Sequence, residues 1–313
     1  PEVYLKNAEI YPLIIDEAHK VPEIFDEIKA LVDEKRIPGK FILSGSVEFS
    51  TKSGVRESLT GRCATMRLDS LTVSEANPKS SYNIKDILVH LDSGGMPGIF
   101  ATRDKSQRSS YWDEWLETLC ERDLKVMGGG RLSGDLAREV LEAIARLEVP
   151  NVTNISKKTG VDSRRVQNHL DALVALFVIR GLGPSVGSPG KPQYFFFDCG
   201  LATHLGAEIL KKWQTFFMHE YINQNLFKGL KPKPLRFYRS KRGSCIEFVD
   251  GAGDFHAFCE SVVPNRRQLM TYRAAVKANP EKKVFVYCPT DAADEKIETG
   301  VRRVSWNSIV SKW

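Results

Sequence analysis

A chain of 313 residues with 42% hydrophobic content can bury two or three cores, and it holds no apolar run near the roughly 18 residues of a bilayer span. Its six cysteines form no Cys-x-x-Cys pair, which argues against a zinc ribbon or a dithiol redox motif and favours free thiols in a cytoplasmic protein. The net charge of +6 is uneven: 17 basic against 21 acidic residues in 1–130, 9 against 7 in 131–200, and 19 against 11 in 201–313. A positive field in the C-terminal half points to a polyanionic partner, most simply nucleic acid, with a basic surface that binds nothing as the alternative.

Residues 1–76 read as half of an α/β domain. Leu13–Ile15 is an apolar run that ends in Asp16 and Glu17, the pattern by which a buried parallel strand delivers acids to a sheet edge. Glu23–Glu34 carries Ile24, Ile28 and Leu31 on one helical stripe. Pro38-Gly39 turns the chain into a second strand, Phe41–Leu43, which ends in Ser44 and Ser46. Thr51–Leu59 is expected as helix or loop, and Cys63–Leu68 as a strand. NTPases place a magnesium-holding Asp and a water-polarising Glu at the first edge and a polar phosphate sensor at the second. Two capping acids after a strand are the plainer alternative. His19 is then a residue behind the acids or a solvated turn histidine.

A phosphate loop, Gly-x-x-x-x-Gly-Lys-Ser/Thr, is expected upstream of Asp16, and the 15 residues there do not form one. The reading is therefore a fragment or mature form of an NTPase, one that does not turn over ATP by itself. Ser185-Val-Gly-Ser-Pro-Gly-Lys-Pro192 is a decoy: Pro follows Lys191, and the segment leads into a strand, whereas a phosphate loop opens a helix.

Residues 77–130 read as a helical lid or linker, with a turn at Ser93-Gly-Gly-Met-Pro-Gly98 and an amphipathic helix Tyr111–Val126 bearing Trp112, Trp115, Leu116 and Leu119. Residues 131–198 read as a winged helix: helices at Asp135–Leu147 and Asn154–Thr159, then a third capped by Asp162 or Ser163 with Val166, Leu170, Leu173 and Phe177 inward. Arg164, Arg165, Gln167 and Asn168 lie near the start of that third helix, where a recognition helix places its base-reading side chains. A winged helix used only for packing is the alternative. Residues 181–192 form the wing, and Tyr194–Phe197 the returning strand. Residues 199–313 read as α+β, with a helix near Phe216–Leu226, strands at Arg236–Tyr238, Cys245–Val249, Phe255–Glu260 and Val284–Tyr287, and a helix at Gln268–Ala278.

The segment LIIDEAHKVPEIFDEIKALVDEKRIPGKFILSGS with ESLTGR at 57–62, followed by Ser93-Gly-Gly-Met-Pro, Glu121-Arg-Asp and Tyr194-Phe-Phe-Phe-Asp-Cys-Gly-Leu201, resembles a large prokaryotic family of AAA+ ATPases. Members join an AAA+ core to a winged helix and a C-terminal domain related to restriction-endonuclease-like nucleases. The resemblance implies an α/β class, a partial AAA+ P-loop NTPase core at 1–76, a lid at 77–130, a winged helix at 131–198 and an α+β restriction-endonuclease-like domain at 199–313. It implies ATP and Mg²⁺ as ligands of the intact protein, Asp16 as the residue holding Mg²⁺ through water and Glu17 as the water residue. Ser44 or Ser46 becomes the sensor, and Arg62 a candidate arginine finger, against a surface ion pair.

In the C-terminal domain the resemblance places Glu247 where the nuclease fold has its first acid and Glu260 at its second, with Gln268 following at a spacing some such nucleases use. Two carboxylates there hold a metal, and a Lys two residues after the second steadies charge. Val262 stands at that Lys position, so the expectation is a degenerate nuclease fold that still binds DNA, or two plain strand acids. Glu220 is the loosely aligned helix acid. The functional expectation is a DNA-associated AAA+ ATPase fragment and possible homo-oligomer. A non-enzymatic winged-helix DNA-binding or regulatory protein is the first alternative, and a metal-dependent nuclease the second.

Overall fold

The computed structural model describes residues 5, 11–46, 59, 61–100, 102, 104–128, 130–228, 234–240 and 243–311. The chain divides into two compact units, Pro1–Leu68 with Leu173–Val178, and Asp69–Ala172 with Ile179–Trp313.

The first unit contains a strand–helix–strand element. Strand β1 (Leu13–Ile15) pairs in parallel with β2 (Phe41–Leu43), Leu13 opposite Phe41 and Ile15 opposite Leu43. Helix α1 (Glu23–Glu34) connects them and buries Ile24, Phe25, Ile28 and Leu31, one stripe at helical spacing. These pack with Leu5, Ala18 and Leu59 and with the inward residues Leu13, Ile15, Phe41 and Leu43. The pleat turns Ile14 and Ile42 outward, and they stay 67% and 47% exposed. The strand expected at Cys63–Leu68 does not form among the described residues, and Met66 and Leu68 are exposed. Residues 51–58, expected as helix or loop, lie outside the described residues.

The second unit begins with α2 (Val73–Ala76) and α3 (Ile84–Ser93), both opened by capping boxes, on Thr72 and Asn83. After α4 (Pro97–Phe100) comes a long helix in three parts: α5 (Lys105–Thr118), a π turn at Leu119–Asp123, and α6 (Leu124–Gly128). It starts earlier than its apolar residues suggest because Asp104 caps it, accepting from the Ser106 N–H. Trp112, Leu116, Leu119, Cys120 and Leu124 are buried along it.

Three helices follow, α7 (Gly134–Arg146), α8 (Val152–Thr159) and α9 (Ser163–Ala175), then an antiparallel pair, β3 (Ile179–Leu182) and β4 (Gln193–Phe196). Gly160, at φ 72°, ends α8, and Asp162 caps α9 through the Arg164 N–H. The succession of elements and their spans follow the sequence reading. The segment that links β3 to β4 does not stand free. Ser185 N–H donates to the Phe237 carbonyl at 2.7 Å, and Phe237 N–H donates to the Gly183 carbonyl at 3.1 Å.

That contact reaches the edge of a six-stranded sheet ordered β5-β6-β7-β8-β10-β9, from β5 (Arg236–Arg239), β6 (Cys245–Val249), β7 (Phe255–Phe258), β8 (Val284–Cys288), β9 (Glu295–Glu298) and β10 (Val301–Ser305). β5 to β7 run antiparallel, β7, β8 and β10 parallel, and β9 antiparallel at the far edge. Helix α11 (Ile209–Phe227), preceded by α10 (Cys199–His204), brings Trp213, Phe216 and Phe217 onto one face, against Phe248, Phe258 and Tyr287. Helix α12 (Arg266–Ala278) covers the other face, with Tyr272 and Ala275 against Val284, Val286 and Cys288. The chain closes with α13 (Ser308–Ser311). Sequence reading gave no signal for β9, whose residues are charged, or for β10.

Asp198 ties the connecting helices to this body. It is 1% exposed, and it accepts from Gly95 N–H at 2.8 Å, Gly200 N–H at 2.7 Å and Leu201 N–H at 3.3 Å. Gly94 sits at φ +74°, where a Cβ would lie 2.0 Å from the Asp198 carboxylate, and a Cβ on Gly200 would lie 2.5 Å from the Ser93 carbonyl. Two runs far apart in the sequence, the Gly-Gly turn and the Asp-x-Gly-Leu run, are thus the two halves of one contact. Asp198→Ala strands three buried donors, so it is expected to cost about 3 kcal/mol and to lower the thermal midpoint by roughly 5–10 °C. Calorimetry checks this: a midpoint within about 1 °C of wild type contradicts the assignment.

Candidate functional site

The ends of β1 and β2 bring the predicted acids and hydroxyls together. Backbone bonds from Ser44 N–H to the Ile15 carbonyl (2.9 Å) and from Ala18 N–H to the Ser44 carbonyl (3.0 Å) continue the parallel pairing past both strands. The Ser44 hydroxyl donates to Asp16 Oδ1 in a short contact, and the Glu17 N–H donates to the same oxygen at 2.9 Å. Together, the hydroxyl first, they hold the Asp16 carboxyl below its usual range. Glu17 lies in the left-handed region at φ 50°, ψ 38°. A non-glycine residue there costs roughly 1–3 kcal/mol. Its Oε2 is met by His19 Nδ1 at 3.1 Å and by the Ser46 hydroxyl at 3.3 Å. His19 is therefore a ligand of the second acid. Each acid faces one serine.

Arg62 makes a two-pronged ion pair with Asp33 of α1, Nε to Oδ1 at 2.6 Å and Nη2 to Oδ2 at 2.9 Å. That geometry is the ion-pair alternative weighed for this residue. Among the described residues no three His, Cys, Asp or Glu side chains gather tightly enough to hold a metal alone. One carboxylate beside a hydroxyl suits Mg²⁺ that keeps most of its waters and takes phosphate oxygens as further ligands. Asp16 and Ser44 fit that role.

Of the four residues expected to face DNA, Arg164, Arg165 and Asn168 are exposed at the start of α9. Gln167 is engaged within the protein: its amide donates to Asp171 Oδ1 at 2.8 Å and to the Tyr194 hydroxyl at 3.2 Å. Lys157 and Lys158 of α8 are also exposed and extend the positive charge beside Arg164 and Arg165 in the sequence.

The C-terminal acids do not assemble as read from sequence. β7 ends at Phe258, and residues 260–263 form a bend before α12. Strand alternation therefore does not align Val262 with Glu260, because the chain has left the sheet where Pro264 and the Asn265 cap redirect it. Glu260 is exposed, and Val262 is 49% exposed. Gln268 is the third position of a capping box, its Oε1 accepting from Asn265 N–H at 2.9 Å. Glu220 is fully buried in α11 and accepts from Val73 N–H at 2.8 Å and from the Gln224 amide at 2.5 Å, a structural role. Glu247 is half-buried on β6, and burial pushes its carboxyl up to about 7.

Sequence reading missed Lys211, 5% exposed near the start of α11, whose ammonium is pushed down to about 8 by burial. A Lys beginning an otherwise apolar helix is an available but weak signal. It also missed the buried line Asp250–His256–Tyr287, with His256 Nε2 3.3 Å from Asp250 and Nδ1 3.1 Å from the Tyr287 hydroxyl.

The family described as an AAA domain matches residues 1–77, and the domain of unknown function DUF8612 matches residues 84–212. An AAA-type sequence thus coincides with the acid edge. Two curated relatives, an uncharacterized protein of Mycobacterium bovis and one of Mycobacterium tuberculosis, are each 24% identical over 265 residues. Those alignments cover 79% of this chain and 57% of each relative, so the chain spans little more than half of their length. No solved structure matches the chain. Among the described residues, no helix is long and apolar enough to cross a membrane.

Glu247 supplies a pH test. Its folded affinity for protons is raised, so the stability it contributes is present below the unfolded value of about 4.5 and is lost as pH rises through about 7. Glu247→Gln is expected to raise the midpoint of unfolding more at pH 8 than at pH 5, by about 2–3 kcal/mol of differential stability. Equal effects at both pH values contradict the burial argument.

Proposed function

We propose that this chain is part of an AAA+ ATPase that acts on or near DNA, with residues 1–76 supplying the hydrolytic edge and the winged helix supplying the DNA contact. The observation that carries the first half is the pairing of Asp16 with Ser44 and of Glu17 with Ser46 across two parallel strand ends. In this reading Asp16, kept ionised by the Ser44 hydroxyl, would hold the water shell of a Mg²⁺ ion whose charge would offset that of the phosphates. Glu17 orients the attacking water. Ser46 reports the state of the terminal phosphate to Glu17, and His19 holds Glu17 in its strained conformation between turnovers. Arg62 as finger would first have to leave Asp33.

Where ATP turnover is measurable, Glu17→Gln is expected to slow it by about 10²-fold or more while leaving nucleotide affinity within a few-fold. Unchanged turnover, or equal losses in affinity and rate, sinks the assignment.

The DNA half rests on the helix order, the exposed Arg164, Arg165 and Asn168, and the basic C-terminal half. The wing is held at the edge of the sheet, so the reading falls on α9. Replacing Arg164 and Arg165 together by Ala is expected to weaken binding to duplex DNA and to flatten its salt dependence by about two phosphate contacts. Titrations at several salt concentrations decide it, and an unchanged slope favours a winged helix used for packing.

The nuclease alternative draws support from the sheet, three antiparallel strands followed by a helix and a parallel strand, with Glu247 on the second strand. A non-enzymatic DNA-binding protein remains the reading if Glu17 proves silent.

A further inference from the structure

Cys259 and Cys288 are far apart in the sequence, and the six-stranded sheet sets them side by side. β7 and β8 run parallel, with Ala257 opposite Val286 and Phe258 opposite Tyr287. The Cys259 N–H donates to the Tyr287 carbonyl at 2.9 Å. That bond carries the same register one residue past the end of β7 and places Cys259 opposite Cys288. Alternation decides the face. Phe258 and Tyr287 enter the core that α11 covers, while Ala257, Cys259, Val286 and Cys288 enter the core that α12 covers. Both thiols are free, and both are buried. Partners on neighbouring strands lie about 4.8 Å apart, inside the span of roughly 4.4–6.8 Å between the Cα atoms of a disulfide.

A buried cysteine is ordinarily a small hydrophobe. Cys259 is set differently. Its sulfur lies 3.1 Å from the Ser261 hydroxyl and 3.6 Å from Gln268 Oε1, the same oxygen that accepts from Asn265 N–H at the start of α12. It is also the last residue before the exposed stretch 260–263. Cys288 Sγ has the Val286 carbonyl at 3.7 Å. We infer that Cys259 and Cys288 are a peroxide-sensitive thiol pair whose disulfide clamps β7 to β8 beneath the start of α12. Within the pair Cys259 ionises first, because the Cys288 S–H beside it lowers its proton affinity while that of Cys288 rises. The Cys259 thiolate attacks one oxygen of hydrogen peroxide. The O–O bond breaks, an S–O bond forms, and the leaving hydroxide takes up a proton to become water. The Cys288 sulfur then attacks the Cys259 sulfur. The S–S bond forms, the S–O bond breaks, and the second hydroxide leaves as water with the Cys288 proton. Two electrons pass from the sulfurs to the peroxide. Burial of both thiols selects a small oxidant of this kind over a bulky disulfide reagent. The pair uses no residue of the acid edge or of α9, so it stands apart from the ATPase and DNA readings.

The test uses the full chain carrying Cys245→Ser, because one tryptic peptide, from Gly243 to Arg266, holds both Cys245 and Cys259. The reduced protein is treated with hydrogen peroxide at neutral pH. Its remaining thiols are blocked with N-ethylmaleimide after denaturation, and the tryptic peptides are read by mass spectrometry. The expected product is the Cys259 peptide joined to the Cys288 peptide, two hydrogens lighter than their sum and separated by dithiothreitol. The thermal midpoint of the joined form is expected to rise by roughly 3–8 °C and to return on reduction. With Cys288→Ser added, the rise is lost and dimedone labels Cys259, whose sulfenic acid then has no thiol to resolve it. If that variant fails to fold, the peptide map of the Cys245→Ser protein decides alone. Recovery of Cys259 and Cys288 both alkylated after peroxide, or a bond from either to another cysteine in place of this one, overturns the inference. An unmoved midpoint in the joined form overturns the clamp.

Discussion

The carboxylate of Asp198 is the constraint on which the larger unit depends. One side chain receives an N–H from the Gly94-Gly95 turn and caps α10, in a space too tight for any Cβ at Gly94 or Gly200. The turn thereby fixes the end of α3, whose Ile87 and Leu91 enter the same core as Trp213, Phe216 and Phe217 of α11. A second clasp, Glu220 on the Val73 N–H with His219 on the Ser70 carbonyl at 2.8 Å, fixes the start of α2 to the same helix. Burying an acid this deeply is tolerable only because each oxygen has N–H partners. The connecting helices are therefore part of the C-terminal body.

The β3–β4 pair is integrated in the same way. The segment after β3 adds backbone bonds to β5, and Tyr194 N–H bonds the Pro150 carbonyl at 3.0 Å, so helices and sheet share a hydrogen-bonded frame. A segment held this way covers part of an edge strand that would otherwise offer unpaired backbone groups.

Local signals were legible where one stretch of sequence carried the whole physics. Apolar runs ending in Asp16-Glu17 and Ser44-Gly-Ser46 foretold both strands and the meeting of acids with hydroxyls, and helical spacing foretold α1 and α7 to α9. Long-range causes were not legible. Nothing in the sequence says that Asp198 lies against Gly95, or that Gln167 is taken up by Asp171 and Tyr194. The strand expected at 63–68 was a run of plausible residues that pairs with no strand among the described residues. The Val262 argument failed because alternation was carried past the point where β7 ends and Pro264 turns the chain. Glu17 is the reverse case: its φ of 50° breaks a local rule at the very edge the motif singles out.

Native-state hydrogen exchange tests most directly the claim that the connecting helices, the β3–β4 pair and the six-stranded sheet form one body. The Gly95 amide, held by Asp198, the Phe237 amide, held by the Gly183 carbonyl, and central amides of β8 should open with the same free energy, and Asp198→Ala should lower all three together. If Gly95 and Phe237 exchange several kcal/mol more readily than β8, and Asp198→Ala changes Gly95 alone, the second unit is a set of loosely joined parts and the account is wrong.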